Sequence, residues 1–483
     1  MATFMDESKS KKRRESLARA IALVDEALAG LAPPTGPAEV TSPASAYRRR
    51  RSSIERLRKG TSKDLSAASN LVRTLVLRCA ESADATATIT AAEVADLRTS
   101  LSIAQAAHGR AAVAVSLESG EILGAQLVAS PQQIANLRSW NFDVFEMDRA
   151  LRGGLRGEPM AAAGWALLED GGLANHFSLD PAKTAKFLSE LQRSYVASVT
   201  YHNHLHGIDV AQTVHFFLTT GGLGAHCEPW ERLSLVVAAL AHDAGHWGLN
   251  NHWLNAVDDP LAVTYNYLSP LENMHASKAL SLLVTPGCDL LANPSVPMRE
   301  VRSLVVELIL GTDAAHHAVH LAELRAAISS NRQETGGAPN PLHALSAEGG
   351  SAFFEGFPRG TEWLARDAAS RRLVLKATLR SADVSNPCKP WAYYTEWADR
   401  IVQEFFHQGD LERAAGLPSA PGFDRGKVTC AADRARAQLG FINFVVGPQF
   451  EALGEVVRLG DSALRHLAEN KAEWEKVVSA AGE

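Results

Sequence analysis

Two short runs concentrate groups able to bind metal ions or move protons. Tyr201-His202-Asn203-His204-Leu205-His206 is followed by Asp209, and Ala241-His242-Asp243-Ala244-Gly245-His246 closes an apolar stretch that begins near Leu233. His202 and His206 stand four apart, as do His242 and His246, so each pair would share a face if its segment were helical. A further carboxylate, Asp383, follows the apolar run from Leu373 to Leu379. Imidazoles combined with carboxylates, without thiolates, suit zinc through nitrogen and magnesium or manganese through oxygen, a mixture that fits two unlike divalent ions. A single histidine is about as often a hydrogen-bonded core residue as a ligand. An adjacent His-Asp pair beside a second histidine cluster is different, because burying that many titratable groups without an ion is costly.

Such groups need rigid elements to hold them. From about Pro131 onward apolar residues recur near every 3.6 positions, strand-like alternation is almost absent, and Gly/Pro punctuation separates segments of helix length. The expectation is therefore an all-α, compact multi-helix domain over residues 131–483. One long stretch, Ser329 to Gly360, carries Gly336-Gly337, Pro339, Pro341, Gly349-Gly350 and Pro358 and is expected to be a surface loop or lid. Residues 1–130 read as a smaller region. Leu17, Ile21, Val24, Leu28 and Leu31 predict a short amphipathic helix, residues 32–53 a linker, residues 64–107 further helix, and Ala112 to Val128 a hairpin.

Seven segments in order carry a resemblance: YHNHLHGIDV from Tyr201, HDAGHWGLNN from His242, LENMH from Leu271, TDAAHH from Thr312, ADVSNP from Ala382, EFFHQGD from Glu404 and QLGFINF from Gln438. Together, and with a weaker start at Trp140-Asn141-Phe142-Asp143-Val144-Phe145, they resemble the signature motifs of class I 3′,5′-cyclic nucleotide phosphodiesterases over about residues 131–460. The resemblance implies a bundle of about sixteen helices and metal-dependent hydrolysis of a cyclic nucleotide to the 5′-monophosphate by a bridging hydroxide. It makes His206, His242, Asp243 and Asp383 ligands of a first metal, zinc, with Asp243 bridging to a second, magnesium or manganese. His246, Glu272 and Thr312 become the outer shell of that second metal, and His275 lies near the attacking hydroxide. His202 corresponds to the general acid, positioned by Tyr201 and Asn203 at the edge of the substrate site. Gln438 would read the purine edge, Phe441 would stack under the base, and Ile401 and Phe405 would face it. Asn386 resembles the residue of branches that prefer cyclic AMP, which favours cyclic AMP over cyclic GMP. Gly245, Trp247 and Met274 depart from the commoner pattern, which has Asp, Pro and His there.

Two other readings are weighed against this one. Another phosphohydrolase of the wider His-Asp metal superfamily would not require Gln438, Phe441 or EFFHQGD. A catalytically inactive nucleotide-binding regulator would not need every presumed ligand and the acid intact.

Composition narrows the setting. The chain has 483 residues and a net charge of −6, yet residues 1–60 hold 13 Lys and Arg against 7 Asp and Glu, or +6, which leaves −12 on the remainder. An acidic body is a poor partner for nucleic acid, whereas a basic head can touch an acidic surface. Five cysteines, an odd number without a CxxC pair, argue against a disulfide framework. No apolar run reaches the ~18 residues of a membrane span, and charged residues interrupt the N-terminal segment where a secretory signal would need an apolar core. A cytoplasmic protein, possible homo-oligomer included, is the expectation. Arg13-Arg14-Glu15-Ser16 and Arg49-Arg50-Arg51-Ser52 fit the pattern of basophilic kinases, so Ser16 and Ser52 are candidate phosphorylation sites.

Overall fold

The structure, a computed structural model, describes residues 136–151, 158–293, 295–335 and 361–481. Among them every regular element is helical and no strand occurs. The first half comprises α1 (Val144–Leu151), α2 (Pro159–Asp170), α3 (Leu173–His176), α4 (Pro181–Ser194), α5 (His204–Leu218), α6 (Pro229–Ala241), α7 (Asn251–Ala256) and α8 (Pro260–Thr264). The second comprises α9 (Pro270–Leu283), α10 (Met298–Leu310), α11 (His317–Thr335), α12 (Ala368–Asp383), α13 (Trp391–Ala414), α14 (Ala431–Phe441), α15 (Gly447–Gly454) and α16 (Asp461–Ala480), with a π-helical turn, Ile442–Val446, before α15. The N-terminal helix, linker and hairpin expected from the sequence, together with Ser16, Ser52 and Cys79, lie outside the described residues. The other four cysteines are free thiols.

Helices α5 and α6 form the centre because their sequences leave them no wet face. Every residue of α5 from Leu205 to Leu218 is buried, as is every residue of α6 from Leu233 to Ala241, the behaviour of a helix that is apolar nearly all round. The two approach closely at Gly207, where a Cβ would come within 2.7 Å of the Tyr195 hydroxyl and 3.1 Å of the Leu240 carbonyl oxygen. That hydroxyl donates to the same carbonyl at 2.8 Å. α10 packs on α6, α2 and α12 pack on α5, and α4 packs on α2.

Local sequence explains where the central helices begin. Asn203 caps α5 by accepting from the Leu205 N–H at 2.9 Å, and α6 starts with Pro229 at its first position inside a Glu228/Glu231 capping box. These boundaries correct one expectation. His202 precedes the cap of α5, and His246 lies beyond the end of α6, after Gly245 at φ 84°, so neither His pair shares a helix face; His206 and His242 stay with their helices, and turns place His202 and His246. The expected loop from Ser329 is also corrected at its start, since α11 continues to Thr335. No Gly or Pro interrupts the chain before Gly336, and the Asn331 amide donates to the Ala327 carbonyl at 2.8 Å. The rest of that stretch, 336–360, lies outside the described residues.

A buried ion pair joins α6 to α12. Arg371 Nε donates to Glu231 Oε2 at 2.8 Å and Oε1 at 3.1 Å, Arg371 Nη1 donates to the Leu364 carbonyl at 2.7 Å, and Glu231 Oε2 accepts from the Glu228 N–H at 2.8 Å. The pair sits near the N-terminal end of each helix, while His242 and Asp383, 11 and 12 residues further on, meet at the other. The two helices therefore run in the same sense over nearly matched lengths, about 17 Å at 1.5 Å per residue, and are fastened at both ends. Removing one member of such a pair leaves an uncompensated buried charge. Arg371→Met is expected to lower unfolding free energy by about 3–5 kcal/mol, read as a fall in the urea midpoint at unchanged slope; a loss below about 1 kcal/mol would show that Glu231 needs no partner.

Candidate metal and acid–base site

Four donors converge where α5, α6 and α12 meet. His206 stands in the first turn of α5, His242 caps the C-terminus of α6 with Asp243 next to it, and Asp383 is the last residue of α12. His206 Nε2 lies 3.1 Å from Asp383 Oδ1, 3.3 Å from His242 Nε2 and 3.5 Å from Asp243 Oδ2. His242 Nε2 lies 3.2 Å from Asp243 Oδ2 and 3.5 Å from Asp383 Oδ1. Both imidazoles are buried and the two carboxylates nearly so.

This donor set fits a divalent cation. Ligands about 2.0–2.2 Å from a central ion are separated by about 3.3–3.6 Å in tetrahedral geometry and about 2.8–3.1 Å in octahedral geometry; the donor atoms of His206, His242 and Asp383 all lie within 4.8 Å of one another, and Asp243 Oδ2 lies 3.2 and 3.5 Å from the two rings. His242 Nδ1 donates to the Ala239 carbonyl at 2.8 Å, which orients Nε2 into the cluster; burial opposes charge on this ring, but Asp243 and then Asp383 raise it well above the ordinary imidazole range. The two oxygens of Asp243 face different ways: Oδ2 points into the four-donor cluster, and Oδ1 lies 3.7 Å from His275 Nε2. His275 Nδ1 donates to the Ala244 carbonyl at 2.8 Å, and since burial keeps this ring neutral its Nε2 is free of a proton. Burial alone would raise Asp383, but His206, His242 and Arg380 hold it well below the ordinary carboxylate range. Arg380 Nη1 reaches Asp383 Oδ2 at 3.0 Å and the Thr312 carbonyl at 2.8 Å.

Beside this cluster lies an acid–base pair. The His202 ring is 5.8 Å from that of His206, centroid to centroid. His202 Nδ1 makes a short contact with Glu404 Oε1, and Glu404 Oε2 accepts from the backbone N–H of Tyr201 at 3.0 Å. Burial works to lower the His202 pKa, yet Glu404 and then Asp243 outweigh it and lift it to about 9; Glu404 is held down at about 2 by the same partnership, against burial. His202 therefore carries a proton at neutral pH. His246 stacks on it with centroids 4.2 Å apart, and burial, then His202, pushes His246 down to about 3. Burial also lowers His275, to about 4.

The other expected site residues are placed as follows. Tyr201 donates to Asn386 Oδ1 at 2.6 Å, and Asn386 Nδ2 donates to Asp209 Oδ2 at 3.3 Å, so both ends of that amide are engaged inside the protein. Asn203 acts as a cap, and its amide donates to the carbonyls of Val199 and Thr200 at 3.0 Å each. Glu272 accepts from Asn251 Nδ2 at 2.8 Å, and burial, then Asp313, raises it to about 7. The Thr312 hydroxyl donates to the Ile309 carbonyl at 2.7 Å. Gln438 Oε1 accepts from the Tyr394 hydroxyl at 2.6 Å, and that hydroxyl in turn accepts from Trp474 Nε1 at 3.2 Å. Phe441 ends α14 with its ring partly exposed, Ile401 packs against the main core, and Phe405 stacks on Phe423 at 4.3 Å.

Sequence reasoning gave no role to Glu404, Arg380, Tyr394 or Trp474, although Glu404 opens one of the quoted motifs. The departures find a physical account. Trp247 and Met274 join one apolar cluster with Trp253, Leu254 and Leu271, and Gly245 leaves room for Lys278, whose Cε would lie 2.3 Å from a Cβ there.

Comparison with known proteins agrees with this geometry. The family profile described as 3′5′-cyclic nucleotide phosphodiesterase matches residues 201–467. The curated 3′,5′-cyclic-AMP phosphodiesterase 4C of Rattus norvegicus is 30% identical over 345 residues, 71% of this chain and 58% of that protein. Its Mus musculus counterpart is 30% identical over 71% of this chain and 46% of its own length. The match thus spans about half the length of these relatives. Among solved structures, the phosphodiesterase domain of the RhoPDE fusion protein from the choanoflagellate Salpingoeca rosetta superposes with a TM-score of 0.60 at 28% identity, over 72% of this chain and 97% of that one.

The pairing of His202 with Glu404 generates a titration test. In Glu404→Gln the charge that opposes burial is lost, so the His202 imidazole should release its proton well below pH 9 when followed by ¹⁵N NMR. An unmoved titration would remove Glu404 as the cause.

Proposed function

As the chain belongs to the 3′,5′-cyclic nucleotide phosphodiesterase family, we propose that it hydrolyses a 3′,5′-cyclic nucleotide, cyclic AMP in preference to cyclic GMP, to the nucleoside 5′-monophosphate. The observation that carries this reading is the adjacency of a four-donor cation cage and a protonated imidazole, with the His202 and His206 rings 5.8 Å apart. His206, His242, Asp243 and Asp383 would hold zinc, and Asp243 Oδ1 faces the side where His246, His275, Glu272 and Thr312 would surround magnesium or manganese. Divalent ions held there would acidify water and neutralise charge on a phosphoryl group undergoing in-line displacement. The chain supplies the rest. Opening the cyclic diester expels the 3′-oxygen, and His202 is the group ready to protonate it, its ring oriented through Nδ1 by Glu404. Neutral His275, with Nε2 unprotonated, can accept from water close to Asp243.

At the base end, Trp474 can only donate, so its bond to Tyr394 commits the Tyr394 proton to Gln438 Oε1. Gln438 then offers an N–H outward, together with the second lone pair of its oxygen, a donor–acceptor edge that adenine's ring nitrogen and exocyclic amine complement. The curated relatives are named for cyclic AMP; Asn386 of the ADVSNP segment is held by Tyr201 and Asp209 and would act on the base only through that network. Residues 131–483 would form the catalytic domain of a cytoplasmic protein, with residues 1–130 as a regulatory appendage; among the described residues no helix is long and apolar enough to cross a membrane.

The test is turnover of cyclic AMP and cyclic GMP side by side. Dialysis against EDTA and the substitution Asp383→Ala should each abolish hydrolysis with loss of bound metal. His202→Ala should lower kcat by about 100- to 10,000-fold while metal content stays the same. Full turnover by metal-free protein, or metal loss in His202→Ala, would overturn the assignment, and a higher kcat/KM for cyclic GMP would overturn the substrate preference.

A further inference from the structure

Behind Asp383, on the far side of Arg380, lies a small cleft between helices. It is lined by Gly311 at the end of α10, His317 and His320 in the first turn of α11, Lys376 and Arg380 on α12, and Gln449 on α15, with Leu373 and Ala377 as its apolar wall. The four α12 residues fall at positions 373, 376, 377 and 380, the spacing of one helix face. Among the described residues no carboxylate lines the cleft. Glu307 does reach Lys376, at 3.6 Å, but from outside the lining set, and it is shared with Arg372 at 3.1 Å.

Gln449, Lys376 and one Arg380 nitrogen have partners in the protein, but three polar atoms of the cleft do not. Both ring nitrogens of His317 and Nε of Arg380 are shielded from solvent, yet have no hydrogen-bond partner among the described residues. Buried polar atoms in native proteins are nearly always satisfied, so the described residues leave the partner of these atoms unaccounted for. Burial and then Arg380 lower His317, and burial and then Lys376 lower His320 while Glu323 opposes. The space left is enough for about one water-sized particle. That excludes a nucleotide and any large oxyanion.

We propose that this cleft binds a single halide-sized monovalent anion, chloride in physiological solution, held by Lys376, Arg380 and the ring of His317. The reasons are the convergence of cationic groups, the absence of a lining carboxylate among the described residues, the unpartnered polar atoms and the size of the space. Arg380 links the anion to the metal site, since the same guanidinium bonds Asp383 Oδ2 at 3.0 Å. The inference concerns binding at a second position and stands apart from the catalytic assignment.

The experiment uses the full chain with its metals. Crystals grown in sodium bromide should show one anomalous bromide peak within reach of Lys376 and His317. At constant ionic strength, the thermal midpoint should be higher in chloride than in gluconate, because a ligand that binds only the native state stabilises it. In Lys376→Met and in His317→Leu both the peak and the chloride-dependent shift should be lost. Two substitutions on different helices guard against misfolding of either. Density for a water alone with equal midpoints in the two salts, or a bromide peak that survives both substitutions, would overturn the proposal.

Discussion

Two carboxylates cannot be brought together in a nearly dry interior unless positive charge comes with them. Asp243 and Asp383 both reach the ring nitrogens of His206 and His242 within 3.5 Å, and Arg380 sets a guanidinium against Asp383. Much of the surrounding architecture is the mechanical answer to that demand. α5 and α6 are buried nearly all round and brought close at Gly207, and α12 is fixed parallel to α6 by the Glu231–Arg371 pair at the opposite end. The donors are then held by elements that cannot easily retreat from one another. A cation entering such a cage meets ligands already in place.

The neighbouring acid–base pair follows a different logic with the same materials. His202 is charged because Glu404 is near, while His246, stacked on it, and His275 are kept neutral by burial and by the positive charge already present. Three imidazoles in one pocket thus divide into one proton donor and two neutral rings. The division is set by carboxylate placement, since His202 is the ring in contact with Glu404.

The chemistry was legible in the sequence where identity and short spacing sufficed. His206, His242 and Asp243 stand out in two short runs, and Asp383 ends a helix whose apolar periodicity announces it. The all-helical fold was legible too, because Gly and Pro interrupt a persistent 3.6-residue period. What the sequence hid depends on distant partners. Glu404 acquires its meaning 202 positions from His202, and Arg371 acquires its own 140 positions from Glu231. Helix-face arguments failed for the two His pairs because Asn203 and Gly245 place His202 and His246 in turns. The end of α11 was misplaced because Ser329 and Ser330 look like loop residues, whereas Ile328, just before them, is buried and anchors the turn.

The spacing of the donors along the chain also bears on how the protein is made. His206 and Asp383, neighbours in space, are separated by 177 residues, so the cage closes only after most of the bundle has been synthesised. At the usual pace of translation, about 5–20 residues per second, the ribosome needs roughly 9 to 35 seconds to go from the first of these residues to the last. During that interval α5 and α6 present two imidazoles and a carboxylate without their fourth companion. Until Asp383 is made, the chain carries two imidazoles and one carboxylate of a group whose fourth member, in the folded protein, lies 3.1 Å from one ring and 3.5 Å from the other.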